Sequence, residues 1–209
     1  MTAIISALDV AVAHPELLDV ELARDTLVPE AQRMRALVED LLLLARADER
    51  GLTFHREPTR LDEVATGEVI RLRRTCRHPV HIAADPPVEV NGDASALSRV
   101  VRNLLDNAAR HATSQIDVEV RRESGAAILT VADDGPGIPP AADRQRVFDR
   151  FVRLDSSRSR GGGGSGLGLS IVAEIVAAHD GQISITGRPG GGTVVTVQLP
   201  AATTPDSNR

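Results

Sequence analysis

The 209-residue chain has no lysine, no tryptophan and no tyrosine, and only three phenylalanines and one cysteine. With aromatics at 1%, its core must be filled by Leu, Val, Ile and Ala, and a hydrophobic content of 42% is enough for that. All 24 basic residues are therefore arginine, which excludes a phosphate loop of the Gly-Lys-Ser/Thr type. Cys76 cannot form an internal disulfide, so a reducing, cytoplasmic setting is expected. No run approaches the roughly 20 apolar residues of a membrane-spanning helix. Asp9 interrupts the apolar residues of the first turns, and no basic stretch precedes them, so no signal peptide is expected. A net charge of −5 and a pI near 5.7 leave no overall basic excess for non-specific nucleic-acid binding.

What is present is a pair of glycine runs. Asp133-Asp134-Gly135-Pro136-Gly137-Ile138-Pro139 follows the β-rich apolar run Ile128–Ala132, so Asp133 is expected at the carboxyl end of a buried strand. A lone Asp-x-Gly-x-Gly is most often a tight turn, because glycine supplies the positive φ that turns need. Here a second run, Gly164-Ser165-Gly166-Leu167-Gly168-Leu169, leads into Ile171, Val172, Ile175 and Val176 at helical spacing. The free N–H groups and dipole of such a helix start suit anionic ligands. A carboxylate on the first turn can accept from an adenine amino group, and the second turn can hold phosphates.

Taken in order, residues 1–50 read as helical. Ile4, Ile5, Leu8 and Val12 form a short stripe that His14-Pro15 breaks. A longer helix from Leu18 to Asp48 carries a bundle-like face of Ala31, Met34, Val38, Leu41 and Ala45, with Pro29 marking a kink or a restart. Residues 51–58 read as a linker, 59–200 as the main domain and 201–209 as a flexible tail. Within the main domain, a helix is expected from Leu61 to Arg74, strands at 80–83 and 88–90, and a turn at Asn91-Gly92-Asp93 whose aspartate caps a helix running to Ala112. Leu97, Val100, Val101, Leu104, Leu105 and Ala108 form that helix's buried stripe. Asn103 and Asn107, spaced i, i+4, share another face, with Arg110 and His111 one turn further on. Those asparagines either face solvent or line a site. Strands at 115–122 and 126–132 joined by Ser124-Gly125 follow, and a final pair at 182–186 and 193–199 is joined through Gly187–Gly192. Between the glycine runs, Val147, Phe148, Phe151 and Val152 are expected to anchor one helical turn. Ser156–Gly164 is expected to form a lid.

These motifs, in this order, resemble the C-terminal catalytic portion of a bacterial sensor histidine kinase. Asn103-Leu104-Leu105-Asp106-Asn107-Ala108-Ala109-Arg110-His111 resembles that family's N box. The Asp133–Ile138 and Gly164–Leu169 runs resemble its two main glycine boxes, Phe148-Asp149-Arg150-Phe151 its paired-phenylalanine box, and Gly191-Gly192-Thr193 a third glycine box. The likeness covers roughly residues 58–200, and Leu41–Asp48 resembles part of the dimerisation and phosphotransfer hairpin. It implies an α+β fold: a two-layer sandwich of three helices on a mixed, mainly antiparallel five-stranded sheet, preceded by a helical hairpin fragment.

It further implies ATP and Mg²⁺ as cofactors. Carried over by position, Asp133 would accept from the adenine amino group, Asn107 would ligate Mg²⁺ through its amide oxygen, and Asn103 would support it. Arg110 and His111 would contact phosphate or sugar, and Arg153 the γ-phosphate. Gly135, Gly137 and Ile138 would border the base with Thr193 opposite. Gly164, Gly166, Leu167, Gly168 and Leu169 would form the phosphate turn. Asn103, Arg110 and Arg153 are the catalytic candidates.

One departure stands out. The family's phosphoacceptor motif, His-Glu-x-x-x-Pro, does not occur in this sequence. The chain is expected to begin downstream of it, so the acceptor histidine would come from a partner chain or from missing sequence, with a response regulator downstream. A weak homodimer through residues 1–50 is the other expected contact, and a longer parent chain with a membrane anchor is compatible with all of this. The competing readings are a nucleotide-binding module that transfers nothing and a water-activating ATPase resembling gyrase, heat-shock chaperones or mismatch-repair proteins. Those ATPases carry a glutamate where Asn103 stands, and an amide cannot act as a general base.

Overall fold

A computed structural model describes residues 28–138, 144, 146–152 and 165–202. The chain divides into two units, Met1–Arg46 and Ala47–Arg209. In the first unit the described residues all belong to α1 (Val28–Arg50), whose last turn falls in the second. Pro29 sits in the first described turn of α1. Met34, Val38 and Leu41 of the expected bundle face are exposed. Gly51, at φ 71°, ends α1 by donating its N–H to the Ala47 carbonyl. Residues 1–27, the expected lid at 156–164 and residues 203–209 of the expected tail lie outside the described residues.

The second unit holds β1 (Glu57–Arg60), α2 (Leu61–Arg73), β2 (Val80–Ala83), β3 (Glu89–Gly92), α3 (Ala94–His111), β4 (Ile116–Glu123), β5 (Ala126–Asp133), α4 (Gly168–Ala177), β6 (Gln182–Gly187) and β7 (Thr193–Pro200). Five strands form one sheet in the order β2-β4-β5-β7-β6, with β2 parallel to β4 and every other pair antiparallel. This is the expected α+β sandwich. Register fixes which side chains face the helices, because alternate residues point to opposite faces. Ile116, Val118 and Val120 of β4 stand across from Asp133, Val131 and Leu129 of β5, which stand across from Thr193, Val195 and Val197 of β7. Asp133 and Thr193 thus end two otherwise apolar rows on the helix-covered face.

α3 supplies the facing surface with the stripe the sequence marks, from Leu97 through Ala108. Its start is capped as expected, the Asp93 carboxylate accepting from the N–H groups of Ser95 and Ala96. Ser124 and Gly125, at φ 49° and 82°, make the tight β4–β5 turn. Three details differ from expectation. Residues 57 and 58, read as linker, begin β1, which pairs with β3 as a separate two-stranded sheet. β3 itself is Glu89–Gly92, displaced from 88–90. Val147 is buried and Phe148 half-buried, but Phe151 is 64% exposed, so its side chain does not anchor the turn as expected. Among the described residues, no helix is long and apolar enough to cross a membrane.

Candidate functional site

Asp133 closes β5, the central strand, and is 4% exposed. Its Oδ1 accepts the N–H of Gly135 at 2.9 Å, which folds the glycine turn back over the carboxylate. Burial pushes its pKa up, opposed by that N–H, by the nearby His111 and by the N–H of Thr193. Two glycines are demanded by close approach. A Cβ on Gly135 would lie 2.2 Å from the His111 carbonyl oxygen, and one on Gly192, which has φ 108°, 2.0 Å from that of Asp133. The Gly137 backbone also packs on Gly192, where an added Cβ would meet the carbonyl oxygen at 3.0 Å. The first and third glycine runs and the end of α3 therefore converge on one buried carboxylate.

The second glycine run meets α3 further back. Gly166 has φ 73°, and α4 opens at Gly168 with no side-chain cap. A Cβ on Gly168 would meet Asn103 Oδ1 at 3.6 Å, and Asn103 Nδ2 is buried with no hydrogen-bond partner. A buried amide donor left unpaired is costly and marks a place where a ligand acceptor fits. Asn107 is half-buried one turn along, about 6 Å at 1.5 Å per residue. α3 thus presents Asn103 at the start of α4, His111 at Asp133, and Asn107 between them.

A second carboxylate holds this arrangement. Asp134 accepts from the N–H groups of Thr113, Ser114 and Gln115 and from the Ser114 hydroxyl, tying the α3–β4 connection to the glycine turn. The Ser114 hydroxyl and those N–H groups hold the Asp134 pKa far below the usual carboxylate range. At the opposite end of α4, His179 is 3% exposed. Its Nε2 accepts the Asp93 N–H at 3.1 Å, so Nδ1 carries the proton and donates to the Ile175 carbonyl at 2.8 Å. Phe54 stacks on it at 5.1 Å, and Arg56 pairs with Asp180. The cavity of about 400 Å³ bordered by Arg56, Asn91 and His179 lies at this end of α4, away from the glycine turns.

Residues 92–203 match the family model described as histidine kinase-, DNA gyrase B-, and HSP90-like ATPase. The chain belongs to that family. The probable sensor histidine kinase TcrY of Mycobacterium tuberculosis (strain ATCC 25618 / H37Rv) is 40% identical over 202 residues, 91% of this chain and 38% of TcrY. The solved structure of the mycobacterial sensor histidine kinase MprB is 33% identical, with a TM-score of 0.60 over 71% of this chain and 99% of that one. Full-length ShkA in complex with AMPPNP is 25% identical, with a TM-score of 0.73 over 84% of this chain and 37% of that one. The chain spans about two-fifths of the length of the curated relatives it matches.

Within this ATPase-type domain the expected residues fall at the two ends described. Asp133, Gly135, Gly137, Thr193 and His111 gather at the buried carboxylate, and Asn103, Gly166, Leu167 and Gly168 at the start of α4. Leu167 is 1% exposed, so what it can offer a ligand is its backbone. Ile138 and Leu169 are half-buried, and Arg110 is exposed on the last turn of α3. Arg153 and Gly164 lie outside the described residues. Sequence reasoning gave no role of its own to Asp134, quoted only within the first glycine run, or to His179. A doubled aspartate at a strand end is a signal for the first; the second depends on contacts between distant segments.

Proposed function

We propose that the chain is the ATP- and Mg²⁺-binding catalytic part of a two-component sensor histidine kinase. It transfers the γ-phosphoryl group of ATP to a histidine supplied by another chain or by sequence outside these 209 residues. The observation that carries this reading is Asp133: a buried carboxylate with one oxygen committed to the Gly135 N–H, facing Thr193 and His111. Such a group discriminates strongly for a donor, as the adenine amino group is.

The remaining roles are those that the likeness to the family implies for these positions. Gly135, Gly137 and Ile138 border the base. Arg110 and His111 face sugar or phosphate from the end of α3. The orphaned Asn103 amide and the uncapped start of α4, with Gly164, Gly166, Leu167, Gly168 and Leu169, receive the phosphates. Arg153 stabilises charge on the γ-phosphate. The residues also fit Mg²⁺. Among the described residues no group of three His, Cys, Asp or Glu is placed to hold a metal, so an ion on the Asn107 amide oxygen would draw its other ligands from phosphates and water, as Mg²⁺ prefers. Bound there, the ion neutralises phosphate charge. AMPPNP in the ShkA complex supports an adenine nucleotide as the ligand. A response regulator takes the phosphoryl group onward, and residues 1–50 supply a weak homodimer contact in the cytoplasm.

The test mixes this chain, radiolabelled ATP and a protein carrying a phosphoacceptor histidine. Acid-labile label is expected on the partner and none on this chain alone. Nucleotide binding without label on the partner would support the passive module instead, and label on any of the chain's six histidines would contradict the proposal.

A further inference from the structure

Arg150 lies between the two glycine runs and is gripped from two sides. Its guanidinium meets the Asp48 carboxylate in a bidentate pair at 2.5 and 2.6 Å, and its Nη2 lies 3.6 Å from Glu174 of α4. The next residue, Phe151, has φ 62°, a region that bulky side chains rarely occupy. Such a conformation persists only where the surroundings impose it. Phe151 is 64% exposed, so side-chain packing does not impose it. Three restraints act on it: the turn closed by the Val152 N–H on the Asp149 carbonyl at 3.4 Å, which has Arg150 and Phe151 at its centre, the ion pairs that hold Arg150, and the Phe151 N–H donating to the Gly166 carbonyl at 3.0 Å. A Cβ on Gly166 would lie 3.1 Å from the Phe151 Cα, so the two backbones are in contact. Two residues beyond Gly166, α4 begins beside Asn103.

We propose that Arg150 is a positioning residue for phosphate binding, and that Asp48 on the last turn of α1 sets it. Asp48 holds Arg150, Arg150 holds Phe151 in its strained conformation, and Phe151 fixes Gly166 and with it the N–H groups that open α4. The setting of α1's last turn then biases how well phosphates are held, while the Asp133 end is untouched. This inference rests on the nucleotide reading of the site and adds a regulatory input to it.

Calorimetric titration of the full chain with MgATP and with adenosine tests it, using Arg150→Met, Asp48→Asn and the double variant. MgATP affinity is expected to fall about fivefold in Arg150→Met and by part of that in Asp48→Asn, the size of a well-formed, partly exposed ion pair. The double variant should be no weaker than Arg150→Met, because both changes cut one restraint. Adenosine affinity should stay at the wild-type value, which a loosened fold would not allow. MgATP affinity unchanged in both single variants, or equal losses for MgATP and adenosine, would overturn the proposal alone. A wild-type chain that binds neither ligand would overturn the nucleotide reading and this inference with it.

Discussion

Asp133→Asn strips away most of the affinity for ATP and leaves the fold intact. Asparagine keeps the Oδ1 that accepts the Gly135 N–H, so the glycine turn survives. The other oxygen becomes an NH₂, which turns a donor toward the adenine amino group where an acceptor is needed. Losing a charge-assisted bond and opposing two donors in a buried site lowers affinity by about a hundredfold or more. The same substitution removes a charge that burial disfavours, so electrostatics gives no reason for the variant to be less stable. Titration calorimetry measures the affinity and chemical denaturation the fold. Wild-type affinity in a well-folded variant would remove the adenine role of Asp133.

The pH dependence has a defined sign. With its pKa pushed above the ordinary 3.8, Asp133 gains its proton early as pH falls, so adenosine affinity drops while pH is still above that value. Its ionised form costs the folded state stability above the raised pKa, and that cost vanishes below the unfolded value. Asp62, held down by Arg60, and Asp134, held down by Ser114, run the other way. The stability they contribute is complete above 3.8 and is lost only as pH falls through their lowered values. Binding is therefore lost before these two groups release the fold.

Gly192→Ala destabilises the domain by roughly 2–5 kcal/mol, the sum of a disallowed φ and a forced displacement. The backbone is at φ 108°, and the new Cβ would stand 2.0 Å from the Asp133 carbonyl oxygen, a backbone atom that cannot swing away. Relief requires β5 and β7 to part where Thr193 pairs with Asp133, so ATP binding falls as well. Gly190→Ala is the control. Its φ is 89° with nothing within 4 Å of the added Cβ, so it bears the conformational cost alone. Equal denaturation midpoints for the two variants would show that the approach of Gly192 to Asp133 has no energetic weight.

The parts of the molecule written in local pattern were legible from the residues. The alternation of β4, the apolar run of β5, the Asp93 cap and the stripe of α3 each follow from neighbours a few positions apart. The two glycine turns were legible because glycine stands where φ is positive or a backbone passes close. What was not legible depends on distant partners. β1 is Glu-Pro-Thr-Arg, with no apolar alternation, and becomes a strand only by pairing with β3. His179 is a helix-end residue until Asp93 and Phe54 close on it. Asp48 and Arg150 are 102 positions apart, and no periodicity announces their pairing. Phe151 looked like core because phenylalanine usually is, yet its backbone, not its ring, is what the structure uses.

The most direct test of the central claim is a crystal structure of this chain with Mg²⁺ and a non-hydrolysable ATP analogue. The adenine amino group is predicted within hydrogen-bonding distance of the Asp133 carboxylate, the cation on Asn107, and the phosphates between Asn103 and the start of α4. An analogue bound away from Asp133, or a cation held without Asn107, would contradict it.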